Sequence, residues 1–573
     1  MDAFLNGFAQ ADPETYYVCI GFLRVAAPVL IFLLLLRCAK PLLTFRREPE
    51  IWAWLCLPGD QKLPLTHWEN VVGRSKRSDV VVDFPTVSRN HCVFTRYDDG
   101  SWTVSDAASK DGVYVNGKRV SICALEPEDT ITIGGIDMTL LPISARQEAR
   151  LSELRTPAAS PASGMANLLI LTVFQLCCMM AFLLSGTSHP LEVFWGFAGL
   201  TMAEWVLFIF YLCIRRPSFE VETLAFFLCT MGMAALSTVA PGEIKKQLLA
   251  VILGIGVFLA VGWSLRDLER AKRFRYLASF AGVGLLLITL VFGQEIYGAK
   301  NWLYIGSFSV QPSELSKVCF VFVGASTMDR LMNKRNLILF IAYTVVLCGC
   351  LALMNDFGTA LIFFMAFLVI AYLRSGSLGT IGLACTSLGF AGVIAVKIAP
   401  HALRRFATWR HVWDDPLDGG YQQTRALMCL ASGGLFGLGA GQGWMKNVFA
   451  ADSDMVFATV SEEWGLLIAV MMVLCIMALA LFTIRSAAVE RSAFYTIGGI
   501  TAASILVAQT ILNALGTVDV VPLTGVTFPF VSNGGSSMLC AWGLMAFVKA
   551  ADTRQNASFA VPLNKNGGDR EDE

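Results

Sequence analysis

The sequence predicts a polytopic α-helical membrane protein with a small all-β sandwich inserted after its first span, and three observations carry that prediction. Hydrophobic residues make up 55% of the 573-residue chain and charged residues 15%, against roughly 25% charged in a soluble globular chain. Apolar runs of membrane-spanning length recur along it. Between the first and second of them, hydropathy falls and short alternating segments take over.

The first run covers about Tyr16 to Leu36 and is followed by Arg37, Lys40, Arg46 and Arg47, with no small-residue cleavage pattern. It reads as an uncleaved anchor which, with its basic flank, takes up residues 1–48. Residues 49–142 contain VVVDF, HCVFTRY, SWTVS, GVYVN, TITIG and MTLLP, separated by Asp99-Gly100, Asn116-Gly117 and Gly134-Gly135. Such turn dipeptides between alternating segments define an all-β domain. Residues 143–164 are Ala-, Pro- and Ser-rich, which makes them a linker. About twelve further spans are expected in a membrane domain over 165–550, near 165–185, 190–213, 220–240, 247–264, 277–293, 315–331, 336–354, 357–373, 379–399, 465–484, 493–516 and 535–550, ahead of a polar tail at 551–573. The sixteen cysteines show no metal or disulfide spacing and read as small core hydrophobes.

Lys and Arg equal Asp and Glu at 44 each, so the average charge carries no information about partners, and no segment points to nucleic acid. The distribution sets topology. With the β domain in the cytoplasm, Arg215, Arg216, the Arg266–Arg275 cluster, Arg374, Arg485 and Lys549 all fall inside, as the positive-inside rule requires. Lys245 and Lys246, and Arg404, Arg405 and Arg410 in the long loop at 400–463, fall outside and need another reason.

The segment DSDMVFATVSEEWG sets four carboxylates, Asp452, Asp454, Glu462 and Glu463, at the mouth of an apolar run. A charge drawn into hydrocarbon costs about 2.5–3.5 kcal/mol, so acids at this edge point to chemistry. In QPSELSK, Pro312 starts a helix, and Glu314 and Lys317 share a face, either as a closing ion pair or as binders of a polar substrate group. Asp356, in NDFGT, lies at the outer end of the next pair of spans. VPLTGVTFPFVSNGGSS holds too much Gly, Pro and Ser for continuous helix. Non-helical backbone at this depth must line a cavity, making Ser532, Gly534, Gly535 and Ser536 substrate-binding candidates.

Two family resemblances build on these strings. VVGRSKRSDVVVDFPTVSRNH with SKDGVYVNG resembles a forkhead-associated (FHA) domain, a β-sandwich that binds phosphothreonine peptides. The resemblance assigns phosphate contacts to Arg74, Ser88 and Arg89, and scaffold roles to Gly73, His91 and Asn116-Gly117. Asp111 stands where the family has a peptide-holding Asn, and a carboxylate cannot donate the corresponding hydrogen bond. A Ser/Thr-phosphorylated protein is the implied partner, and Thr156 in the linker is a candidate ligand in cis.

GAKNW with QPSELSK, NDFGT, YQQTRALMCLASGGLFGLGAGQG, DSDMVFATVSEEWG and PLTGVTFPFVSNGGSS resemble, in order, the shape, elongation, division and sporulation (SEDS) proteins, the polymerases of bacterial peptidoglycan. Asn301, Asn355 and Asp452 depart from that family's usual Arg, Pro and His, and five spans after the linker, rather than three, precede GAKNW, so that two of these and the first anchor would be additions. The resemblance implies a glycosyltransferase that polymerises lipid II at the outer face of the cytoplasmic membrane. Asp454 falls on the family's essential acid and would be the general base. Arg404 and Arg405 would stabilise the departing pyrophosphate, and a divalent cation, Mg or Mn, is a candidate to supplement them. The implied partner is a class B penicillin-binding protein transpeptidase. Two other readings use the same residues: a lipid II flippase, and a non-catalytic scaffold that recruits phosphoproteins through the FHA domain.

Overall fold

A computed structural model describes residues 13–45, 50–59, 61–76, 78–97, 100–144, 146–147, 160–296, 299–306, 308–328, 334–375, 378–398, 400–489 and 492–558. Thr156 lies outside them. Eleven strands, β1 (Ala53–Cys56), β2 (Lys62–Leu65), β3 (Glu69–Gly73), β4 (Val80–Val81), β5 (Cys92–Arg96), β6 (Trp102–Asp106), β7 (Val113–Val115), β8 (Lys118–Val120), β9 (Ile122–Leu125), β10 (Thr130–Ile133) and β11 (Ile136–Pro142), form two sheets, one ordered β2-β1-β11-β10-β7-β8 and the other β4-β3-β5-β6-β9. Alternation drives the sandwich. In the pairs Phe94↔Val104 and Ile131↔Val115 the apolar side chains face inward and are buried. Asn116 (φ 50°) and Gly117 (φ 78°) close the hairpin between β7 (Val113–Val115) and β8 (Lys118–Val120), both left-handed as a type I′ turn demands.

Each of the thirteen apolar runs lies on a helix. They are α1 (Pro13–Leu43), α2 (Pro161–Leu184), α3 (Pro190–Cys213), α4 (Glu220–Val239), α5 (Ile244–Leu265), α6 (Leu268–Phe292), α7 (Pro312–Met328), α8 (Lys334–Leu353), α9 (Phe357–Ser375), α10 (Leu378–Ile398), α14 (Leu466–Ala487), α15 (Ala493–Thr517) and α16 (Gly535–Ala550). Ten of them, all but α7, α10 and α16, have the length and hydropathy of a membrane span among the described residues; α7, with 17 residues, and α16, with 16, are shorter. The loop at 400–463, which the sequence left without elements, holds α11 (Pro400–Thr408), α12 (Tyr421–Gly433) and α13 (Val456–Trp464). The GAKNW segment is likewise not a plain loop: β12 (Gln294–Ile296), β13 (Ala299–Ile305) and β14 (Phe308–Val310) form a three-stranded sheet.

Helix α16 is the hub, buried along its length and packed against α5, α7 and α15. Trp542 at its centre meets the rings of Phe226, Phe258 and Phe530. One end is locked by buried charges. Lys549 Nζ is 3.2 Å from Glu222, and Arg554 lies 2.7 Å from Asp552 and 3.3 Å from Glu220. This fixes α16 against the start of α4 and sets where its other end, the Gly534-Gly535-Ser536 turn, sits. Lys245 and Lys246, two of the charges that the positive-inside pattern left over, pair with Glu192 at 3.3 Å and with Glu243 at 2.8 Å.

Candidate active site

The face at which α13 begins, α15 ends and α16 begins gathers most of the polar residues named from the sequence. Asp454 ends the turn before α13 and is half-buried. It is placed through its backbone, because Asn513 Nδ2 on α15 donates to Asp454 O at 3.0 Å and to Val526 O at 2.9 Å. Its carboxylate is left free: among the described residues no donor lies within hydrogen-bond or ion-pair distance of it. Burial pushes the carboxyl up to about 6 despite the opposing charge of Arg405, with Asp452 and Asp356 adding repulsion.

Asp454 and Arg405 both border Gly525. A Cβ there would lie 3.2 Å from Asp454 Oδ2 and 3.8 Å from both terminal nitrogens of Arg405. Gly525 has φ +70° and leaves this gap open. Arg405 projects exposed from α11. That helix is tied down beyond its end, where Trp409 Nε1 donates to Val520 O at 3.2 Å and Arg410 N to Asp519 Oδ2 at 3.1 Å. Arg404 is exposed, with no side-chain partner among the described residues.

The 521–534 segment is non-helical, as its composition dictates, and is stitched to the acidic turn. Ser532 Oγ donates to Ser453 O at 2.7 Å, and Asn533 Nδ2 to Asp452 Oδ2 at 2.8 Å. Gln247 on α5 grips the same segment, giving its Nε2 hydrogen to Ser532 O at 3.3 Å and accepting from Gly534 N at 3.4 Å. Gly535 and Ser536 belong to the first turn of α16, which starts where the last expected span does. Ser536 Oγ accepts from Gln311 N at 3.1 Å.

Asp356 caps α9, accepting at Oδ1 from Thr359 N at 3.1 Å. Its Oδ2 accepts from Asn301 and Gln311, each at 3.3 Å. Asn301, a departure from the SEDS pattern, therefore contacts the acid of NDFGT. Glu314 and Lys317 pair at 2.7 Å beneath this layer, 4% and 1% exposed. Their geometry is that of a closing ion pair.

Glu462 and Glu463 turn away from the gap. Glu462 accepts from Trp444 N at 3.0 Å and Met445 N at 2.8 Å; Glu463 accepts from Gly443 N at 3.2 Å and Thr238 Oγ1 at 2.7 Å. Burial raises Glu463 to about 7, opposed by these hydrogen bonds. Both acids hold the Gly-rich loop after α12. Gln247, Asn513 and Gln311 were not singled out from the sequence. The signal available for the first two was a lone amide inside an apolar run, which seldom goes without a partner.

In the β domain, Arg74 and Arg89 are exposed on neighbouring loops, and Ser88 lies between them. Ser88 Oγ accepts from Lys110 N at 3.0 Å, tying the two recognition loops together. His91 is fully buried, its ring nitrogens 3.1 Å from Ser88 N and 3.1 Å from Gly112 O, which makes it a scaffold residue. Asp111 is exposed beside Lys110.

Fold and site together define a multi-pass membrane protein with a β-sandwich domain and a carboxylate-bearing polar face at one end of the bundle. Residues 225–557 match the profile of the FtsW/RodA/SpoVE family, described as cell cycle protein, and residues 70–134 match that of the FHA domain. The chain belongs to the FtsW/RodA/SpoVE family. It is 30% identical over 325 residues to peptidoglycan glycosyltransferase RodA of Mycobacterium tuberculosis, covering 53% of this chain and 69% of that one. It is 30% identical over 367 residues to the probable peptidoglycan glycosyltransferase FtsW of Tolumonas auensis, covering 59% and 93%, and 28% identical over 324 residues to stage V sporulation protein E of Bacillus subtilis, covering 52% and 85%.

Proposed function

We propose that this peptidoglycan glycosyltransferase polymerises lipid II, with Asp454 as general base and the FHA domain as a phosphothreonine-dependent regulatory module. The observation that carries the reading is the free Asp454 carboxylate beside Arg405 across the open Gly525 position. The acceptor's 4-hydroxyl attacks the donor's anomeric carbon and gives its proton to Asp454. The bond from that carbon to the pyrophosphate oxygen breaks, and undecaprenyl pyrophosphate leaves with the electron pair. Arg405, with Arg404 one residue away, meets the charge that develops on the leaving oxygens. Among the described residues no three His, Cys, Asp or Glu side chains gather into a metal site, so a divalent cation would have to be held chiefly by the pyrophosphate.

The positive-inside pattern supports an FHA domain in the cytoplasm and Asp454 at the outer face. A location at the end of the bundle favours polymerisation over flipping, since alternating access places its site near the midplane. Vesicles carrying the full-length protein and lipid II separate the two: glycan polymer supports the reading, and lipid II translocated without polymer contradicts it. A class B penicillin-binding protein is the partner that would cross-link the strands.

A base must be deprotonated to act. With Asp454 at about 6, the rate is expected to hold above pH 7 and to fall about tenfold per pH unit well below 6. Glu463, which titrates near 7, only holds a loop, so Glu463→Gln should leave that acid limb in place. A flat profile from pH 5 to 8 would contradict the assignment.

For the FHA domain, a phosphothreonine peptide library should yield binders whose affinity drops at least about tenfold in Arg74→Ala, the loss of one charge-assisted phosphate contact. Equal binding by both proteins would remove Arg74 from the site.

A further inference from the structure

We propose that Arg24, on the helix α1 that lies outside the family domain, is a positioning residue of the catalytic face, acting on Asp454 through the Gly-rich loop and α13. The proposal rests on the reading of Asp454 as the base.

The family match begins at residue 225, so α1 is an addition, and an anchor needs only an apolar surface. Arg24 breaks that surface seven residues into the span Tyr17–Leu43, about 10 Å from its end at 1.5 Å per residue. An arginine there can ordinarily run its stem to the interface and leave its head in water. This one turns inward. Its terminal nitrogen donates to Gly437 O, and Nε is buried with no partner among the described residues. Its Cδ also lies 3.7 Å from where a Cβ on Gly439 would be. A half-buried arginine whose Nε is buried and unsatisfied among the described residues is costly to keep for anchoring alone.

The loop it grips has one evident task. Leu438 N donates to Glu462 O at 2.8 Å and Gly439 N to Glu463 O at 2.9 Å, satisfying carbonyls at the end of α13 that have no partner inside the helix. Gly437 has φ +79°, and a Cβ there would fall 2.1 Å from Glu463 O. Loop and helix end are therefore in backbone contact, and Arg24 adds positive charge where the helix dipole favours it. Helix α13 is nine residues long, and Asp454 precedes its first residue by two. So short a rod transmits any shift at its end to the carboxylate, and a misplacement of about 1 Å can cost a hundredfold in rate.

The test uses full-length wild type, Arg24→Leu and Arg24→Lys in lipid vesicles. Amide exchange across 437–447 is measured without substrate, and kcat and KM with lipid II. In Arg24→Leu, exchange at Leu438 and Gly439 should quicken and kcat should fall at least about tenfold with KM nearly unchanged, as for a misplaced rather than missing base; Arg24→Lys should recover part of both. Wild-type exchange and kcat in folded Arg24→Leu would overturn the proposal. Should that variant not fold, Arg24→Gln carries the same two outcomes. Exchange needs no lipid II, so a wild-type protein that makes no polymer would sink the functional reading while loop protection still decides the role of Arg24.

Discussion

Asp454→Asn is expected to lower kcat for lipid II polymerisation by about 10²–10⁴, the range a positioned general base supplies. KM should change little, because the carboxylate makes no contact that an amide of the same shape would forfeit on substrate binding. Stability should be retained or rise slightly. Among the described residues the native carboxylate has no hydrogen bond to lose, and its backbone carbonyl, held by Asn513, is untouched by the change. A neutral side chain also escapes the cost of burial and the repulsion from Asp452 and Asp356 that raise the acid to about 6. Thermal unfolding beside steady-state kinetics checks both halves. An inactive variant that is also unfolded would show that Asp454 holds the turn instead.

Glu314→Gln should be strongly destabilising to the bundle. It leaves the Lys317 ammonium, 1% exposed, without its 2.7 Å partner, and stranding one member of a buried pair costs about 3–5 kcal/mol. Removing both charges in Glu314→Gln/Lys317→Met should recover most of the loss, since a well-packed apolar replacement for a buried pair is often near neutral. Thermal denaturation in detergent reads this directly. If the double variant is stable but inactive, the pair serves substrate as well as structure; if Glu314→Gln unfolds like wild type, the ion pair contributes nothing to the fold.

The features readable in the sequence were those carried by local pattern. Thirteen apolar runs announced thirteen helices because hydropathy over about twenty residues needs no knowledge of neighbours. Asn116-Gly117 announced its hairpin because few other dipeptides accept two left-handed residues. Asp454 was reachable by its motif, and Arg405 by its charge on the wrong side for topology. Pairings that exist only in three dimensions were not readable. Asn513, Gln247 and Arg24 looked alike, each a polar residue in an apolar run, and only the packed bundle shows that the first two hold backbone around Asp454 and the third holds Gly437 at the other end of α13. The β12–β14 sheet was hidden because its residues mix apolar and polar types without a clean two-residue period. Glu462 and Glu463 share a motif with Asp454 yet hold the loop at Gly443–Met445, because they sit at the far end of the nine-residue α13.

The central claim is that the chain polymerises lipid II through Asp454, and one assay meets it directly. Purified full-length protein and its Asp454→Asn variant are incubated in vesicles with lipid II at pH 7, and the glycan products are resolved by length. The account predicts a polymer ladder from the wild type and none from the variant. Ladders of equal intensity from both proteins, or none from either, would contradict it.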